Sequence, residues 1–200
     1  MPEKPRKSPK QRRSKATVDA LLEATAQVLV SHGYQKATTN RIAERAGVSI
    51  GSLYEYYPNK DALVASLIEK HTYDVLHQLM SLMQKYISLP PDEALRVWLS
   101  AMVSVLNERA ELLRVAINQI PYLNEISPIR RLREKLLILT AYGGGQVAKN
   151  FNRELSPEEV YLVMTMASTS IISMVVTPPE NLDATVDTLA DMLLKLLSTP

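Results

Sequence analysis

Apolar residues in this chain recur at steps of three and four, and no segment alternates apolar with polar at a period of two. The pattern is plain at Val18, Leu21, Leu22, Thr25, Val28 and Leu29, and it restarts after each proline or glycine break. A chain patterned in this way can bury its apolar side chains only by packing helix on helix. Composition agrees. With 6 glycines in 200 residues a turn-dense β-sandwich is disfavoured, and 46% hydrophobic against 6% aromatic residues implies an aliphatic, Met-rich core. The absence of cysteine excludes disulfides, zinc–thiolate sites and thiol nucleophiles.

Stop and start signals divide the chain into helices. The first is expected from Ser14, a usable N-cap, to Gly33; the second from Thr38 to about Ala46; the third from Ser49 to about Tyr57. Asn59 caps a long helix from Lys60 towards Ile87, which Pro90-Pro91 ends. Further helices are expected over Asp92–Glu108, Ala110–Ile120 and Pro128–Tyr142, with Gly143-Gly144-Gly145 as a hinge or helix end. Ser156-Pro157-Glu158-Glu159 is a strong start signal for a helix to Val176, and 183–197 closes the chain. The stretch from Val160 to Val176 carries Thr165, Ser168, Thr169, Ser170 and Ser173 and reads as a buried helix rather than a membrane span. No secretory signal is visible, because no apolar run follows the basic start.

Charge is unevenly placed. Residues 1–60 hold eleven lysines and arginines against five acids; with 23 and 21 in the whole chain, this leaves +6 on the first part and −4 on the rest. A basic head on a mildly acidic body suits a nucleic-acid-binding module joined to something else, although charge runs are also ordinary solvated surface. Residues 1–15, with Pro2, Pro5 and Pro9 among cations, read as a disordered tail. Such a tail either adds sequence-blind phosphate attraction, reaches into a minor groove, or serves only as a solubilising leader.

Ala43, Gly47 and Leu53 stand at relative positions 0, +4 and +10. A helix-turn-helix requires a small residue where its helices cross, a residue tolerant of positive φ in the turn, and an apolar plug on the second helix. Ile42, Ala46, Val48, Leu53 and Tyr57 supply the buried face; Ile50, Gly51, Ser52, Tyr54 and Tyr56 are expected to face outward, with Glu55 the only charge. Such a compact, nearly neutral face fits a major groove, and an ordinary αα-corner has no reason to expose two tyrosines. Lys60, in the first turn of a helix, opposes the helix dipole; it either meets a phosphate there or points its long stem into solvent.

Residues 16–63, through Thr38-Thr39, Ile42-Ala43, Ala46-Gly47-Val48-Ser49, Leu53-Tyr54-Glu55-Tyr56-Tyr57 and Pro58-Asn59-Lys60-Asp61-Ala62-Leu63, resemble the DNA-binding domain of the tetracycline-repressor (TetR) family. The resemblance covers about a quarter of the chain; the remainder is similar only in its all-helical character. It implies a disordered tail (1–15), a helix-turn-helix domain (16–60) and an effector-binding and dimerisation domain (61–200). Thr38 and Thr39 would hold phosphates, and Asn40 would reach a base. Ser49, Ile50, Gly51 and Ser52 would head the recognition helix; Tyr54 and Tyr56 would meet backbone or bases, and Lys60 a phosphate. Ile50 suggests contact with a thymine methyl, and Glu55 either points away or accepts from a cytosine amino group. Tyr57 matches an aromatic packed inside the domain.

The resemblance further implies a bacterial, cytoplasmic homodimer on a palindromic DNA operator, associated with the nucleoid when bound and released by a small molecule. Helices 156–176 and 183–197 carry the apolar stripe expected at the dimer interface: Val160, Val163, Met164, Ala167, Ile171, Val175, Leu189, Met192, Leu193 and Leu196. An intramolecular core is the other reading of those residues. Candidates for a pocket taking a hydrophobic or aromatic effector are His71, Trp98, Met102, Asn118, Tyr122, Tyr142 and Met164, each of which also suits ordinary core or surface. No catalytic set is expected: His32, His71 and His77 lack metal-ligand spacing, the glycine triplet lacks the downstream Lys of a phosphate loop, and Ser168 and Ser170 lie in an apolar helix. Neither a metal, nor a cofactor, nor a membrane is expected. The alternative to a specific regulator is a tail-driven, sequence-blind nucleic-acid binder, with a small helical enzyme last.

Overall fold

Helix formation follows the punctuation closely. The computed structural model describes residues 5–6, 11–86, 89–126, 129, 134 and 154–198. Among the described residues there are eight α-helices, one 3-10 turn and no strand. They are α1 (Arg12–Lys36), α2 (Thr39–Ala46), α3 (Ile50–Tyr56), α4 (Lys60–Tyr86), α5 (Pro91–Asn107), α6 (Ala110–Gln119), the 3-10 turn Leu123–Glu125, α7 (Pro157–Val176) and α8 (Leu182–Ser198). Most of the expected Pro128–Tyr142 helix and the glycine triplet lie outside the described residues.

The chain divides into two compact units: residues 1–74 with 111–131, and residues 75–110 with 132–200. The division falls within α4 rather than at its start, and α6 belongs to the first unit, apart from Ala110. In that unit Leu21, Leu29, Ile42, Leu53, Leu63 and Leu67 are fully enclosed, and Val115 and Ala116 of α6, with Ile120 just after it, join the same cluster. Each such aliphatic burial stabilises the fold by about 1.5–3 kcal/mol. Thr25, also enclosed, satisfies its hydroxyl by donating to the Leu21 carbonyl at 2.7 Å.

One expectation for the N-terminus changes. Residues 12–15, taken as tail, are helical, because Gln11 is the N-cap of α1: its backbone N–H donates to Ser14 Oγ at 3.1 Å, so Ser14 serves the cap from the third helical position. At Gly33 the backbone leaves the helical region as expected (φ 74°, ψ 167°), and a further helical turn follows to Lys36. Residues 1–4 and 7–10 lie outside the described residues.

The second unit packs α5, α7 and α8 on one another. Leu99, Met102, Ile171 and Leu193 are buried at its centre. Ser156 caps α7 as its sequence dictates, with Glu159 N–H donating to Ser156 Oγ at 3.2 Å and Ser156 N–H to Glu159 Oε2 at 2.9 Å. By length and composition α7 could cross a membrane, but Val163, Met164, Ala167, Ile171 and Val175 are buried within its own unit. With Leu189 and Leu193 these seven residues of the expected interface stripe are core here; only Met192 and Leu196 of the stripe are openly exposed. Both faces of α7 are apolar, so periodicity did not select the inward one. The outward face presents Tyr161, Leu162, Met166 and Ile172.

Candidate nucleic-acid interface

The turn between α2 and α3 is built by backbone rules. Thr38 caps α2, its Oγ1 accepting from Arg41 N–H at 3.3 Å. Gly47 ends the helix in the left-handed region (φ 66°), and Val48 N–H returns to the Ala43 carbonyl at 3.0 Å. Ser49 then caps α3: its Oγ accepts from Ser52 N–H at 3.1 Å and lies 2.8 Å from Ser52 Oγ. With Leu53 fully buried as the plug, the opposite side of α3 must face out, and Ile50 (39% exposed), Gly51 and Tyr54 (41%) do so. Thr39 Oγ1 and Tyr54 OH are 3.1 Å apart, which joins α2 to α3 at the surface. Asn40 is exposed. Thr38, Thr39, Ser49, Ser52 and Tyr54 thus supply hydroxyls of the kind that donate to phosphate oxygens.

Tyr56 corrects the sequence reading. Expected outward, it is 7% exposed, because it sits three residues after Leu53 and shares that residue's buried face. Tyr57, in extended backbone after the helix (φ −128°), is buried as well, and burial pushes its hydroxyl pKa up. Both tyrosines turn inward, and Tyr54 alone remains on the outer face.

Lys60 is held on the protein itself. Its Nζ donates to the Tyr34 carbonyl at 3.0 Å and lies 3.9 Å from the centre of the Tyr34 ring. Tyr34 in turn donates from its hydroxyl to Asp61 Oδ1 at 2.7 Å and meets Tyr122 edge-on, ring centres 6.0 Å apart. Burial, then Asp61, moves the Tyr34 pKa upward, and burial moves that of Tyr122 upward too. Gln119, the last residue of α6, completes this cluster: its Oε1 accepts from Tyr34 N–H at 2.9 Å. A Cβ on Gly33 would lie 2.6 Å from that oxygen, so the Gln119 amide would have to move, but it is the positive φ that calls for glycine there. Sequence reasoning missed Tyr34, Asp61 and Gln119. A glycine-tyrosine pair at a helix end was a faint signal; a glutamine ending an amphipathic helix was none.

The expected pocket residues separate. Trp98, Met102 and Met164 are buried in the second unit, with Trp98 and Met102 one turn apart on α5. His71, Asn118 and Tyr122 belong to the first, where Asn118 is exposed and Tyr122 packs on Tyr34. Tyr142 lies outside the described residues. Among the described residues no group of three metal-ligating side chains comes together.

Residues 21–67 match the family model of bacterial regulatory proteins of the tetR family. The HTH-type transcriptional regulator YvkB of Bacillus subtilis is 40% identical over 52 residues, which is 26% of this chain and 28% of that protein. The match therefore spans under a third of that relative's length. Over nearly the whole chain the fold is similar to that of the fatty acid degradation regulator FadR from Bacillus halodurans, with a TM-score of 0.74, 22% identity, and 94% of this chain and 97% of that chain covered. FadR from Bacillus subtilis in complex with stearoyl-CoA gives a TM-score of 0.71 at 18% identity, covering 91% of this chain and 99% of that one. At such identities these two structures speak to the fold alone.

Proposed function

We propose that this chain, whose residues 21–67 match the family model of bacterial regulatory proteins of the tetR family, is a sequence-specific DNA-binding regulator rather than an enzyme. It represses by holding a palindromic operator as a homodimer and lets go when a small hydrophobic or aromatic ligand binds. The observation that carries this reading is the exposed face of α3, where Ile50, Gly51 and Tyr54 stand out from a helix anchored by Leu53. Ser49, Ile50, Gly51 and Ser52 read bases, with Asn40 reaching one from α2. Thr38, Thr39 and Tyr54 hold phosphates, and Lys60, spending one of its three N–H donors on Tyr34, keeps two for a phosphate.

Dimerisation is supported by the outward face of α7 and α8, where Leu162, Met166, Ile172, Met192 and Leu196 form exposed apolar surface that a second copy would cover. Two recognition helices would then meet one DNA face about 34–36 Å apart. An apolar effector suits the second unit, whose core around Trp98, Met102 and Met164 is deformable and Met-bearing. The stearoyl-CoA held by the Bacillus subtilis structure makes long-chain acyl thioesters the first compounds to try.

Selection of bound duplexes from a random-sequence pool, with and without acyl-CoA thioesters and aromatic compounds, tests the reading. A specific regulator enriches a palindrome and prefers it by roughly 10³-fold or more over random duplex. A tail-driven binder enriches nothing and loses affinity steeply with salt.

A further inference from the structure

The recognition helix α3 is short, and its last turn contains no cation. A helix ends in carbonyls without intrahelical partners and a partial negative charge, so something else must meet them. Tyr57 N–H takes the Leu53 carbonyl at 2.9 Å. The Tyr54 and Tyr56 carbonyls are met by Arg6, a residue from the far end of the domain's sequence. Its backbone N–H donates to Tyr56 O at 2.8 Å and its guanidinium Nη1 to Tyr54 O at 3.2 Å.

We propose that Arg6 is a positioning residue for DNA recognition: by holding the Tyr54 and Tyr56 carbonyls at the C-terminal end of α3, it fixes how that helix presents Ile50, Ser52 and Tyr54. A cation recruited only for phosphate attraction has no need of a backbone hydrogen bond to the same helix end, and one directed at phosphate would not be spent on a carbonyl. The sequence supplies other cations for the electrostatic task in Lys4, Lys7 and Lys10. This strap of two hydrogen bonds makes Arg6 part of the reading head, and its role in binding rests on the DNA-binding function proposed above.

The test has one arm without DNA and one with it. In the free protein, Arg6→Ala should speed amide exchange at Tyr54, Tyr56 and Tyr57 by roughly three- to tenfold, the scale of one lost hydrogen bond, while Leu21 and Leu29 in α1 exchange as before. Arg6→Pro, which also removes the N–H, should speed it further; Arg6→Lys, which keeps a donor, should recover part of the protection; and Lys4→Ala/Lys7→Ala should leave it unchanged. With a duplex enriched from a random pool by the unaltered protein, Arg6→Ala should lower affinity more than it does for a scrambled duplex of the same composition. Lys4→Ala/Lys7→Ala should weaken both duplexes equally. Unchanged exchange, or equal weakening of both duplexes by Arg6→Ala, overturns the strap. If the unaltered protein enriches no duplex, the DNA-binding reading falls and the exchange measurement alone decides whether Arg6 positions α3.

Discussion

The two units of this chain hold their helices by different means. In the first, the ends of α2 and α3 are set by the Thr38 and Ser49 caps and the left-handed Gly47, and Gln119 at the end of α6 accepts from Tyr34 N–H of α1. In the second, α5, α7 and α8 meet through aliphatic side chains with few such pins, the Arg96 contacts with Asp187 and Asp191 being the charged ones between α5 and α8. Directional groups leave a readable spacing in the sequence. Apolar surface does not, because one leucine packs much like another. The helix ends around α3 in the first unit are therefore set by directional contacts, and the second unit is held mainly by contacts without direction.

The sharpest break in that contrast lies on α7, where adjacent residues face opposite ways. Ala167 is 2% exposed and Met166 is 43% exposed. Ala167→Glu places an unpaired carboxylate in the core and should cost about 4 kcal/mol or more, seen as loss of the folded second unit by circular dichroism and calorimetry. Met166→Glu should leave the fold intact and turn dimer into monomer in sedimentation at micromolar protein. If Met166→Glu unfolds the protein and remains dimeric up to that point, the outward face of α7 is not the contact between copies.

A second comparison sets the plug of the helix-turn-helix against a core leucine of the other unit. Leu53→Ala and Leu193→Ala both truncate enclosed side chains and should each cost about 2–5 kcal/mol in denaturant unfolding. Only Leu53→Ala should abolish operator binding at temperatures where both variants remain folded. Equal effects on binding would mean that α3 is not seated independently of the second unit.

The same division explains what could be read in advance. Ala43, Gly47 and Leu53 gave the turn because the helix crossing needs a small residue, the turn a residue that tolerates positive φ, and the second helix an apolar plug. Asn59 gave the start of α4 by capping it, its Oδ1 accepting from Ala62 N–H at 2.9 Å. Tyr56 was misplaced because its neighbour Tyr57 has the same chemistry, and helical spacing from Leu53 admits either one inward. The inward face of α7 was not legible, since Tyr161, Leu162 and Met166 are as apolar as Val163, Met164 and Ala167. Gln119 and Arg6 act on partners 85 and 48 residues away in sequence, and no local pattern marks either.

The two positive-φ glycines rank the directional constraints of the first unit. At Gly47 nothing lies within 4 Å of an added Cβ, so Gly47→Ala should cost only the left-handed backbone, about 1–2 kcal/mol. At Gly33 the backbone (φ 74°, ψ 167°) lies in a region essentially confined to glycine, and the Gln119 amide must also move, so Gly33→Ala should cost more. Removing the obstacle in Gly33→Ala/Gln119→Ala should return part of the difference, less the Tyr34 hydrogen bond lost with the glutamine. Chemical denaturation of the four proteins measures this. An equal cost at both glycines would show that α6 yields freely at its end and that the backbone at Gly33 adds nothing beyond its positive φ.

The smallest effects separate a cation that also serves the duplex from one that does not. Lys60, on Tyr34, and Arg96, on Asp191 and Asp187, are both engaged with their own unit and both partly open to solvent. Lys60→Gln gives up a carbonyl contact and a ring contact and should cost about 0.5–1 kcal/mol. Arg96→Gln should cost no more than about 1 kcal/mol, because exposed ion pairs are screened. Stability therefore does not distinguish them, whereas the salt dependence of operator binding does. With two donors left for a phosphate, Lys60→Gln should lower the slope of log affinity against log salt by about 0.9, the release of one counterion. Arg96→Gln should leave that slope unchanged, since nothing in its contacts directs it at a duplex. An unaltered slope in Lys60→Gln would confine that ammonium to Tyr34 and make it part of the α1–α4 cluster alone. The phosphate contacts of this face would then rest on the hydroxyls of Thr38, Thr39 and Tyr54.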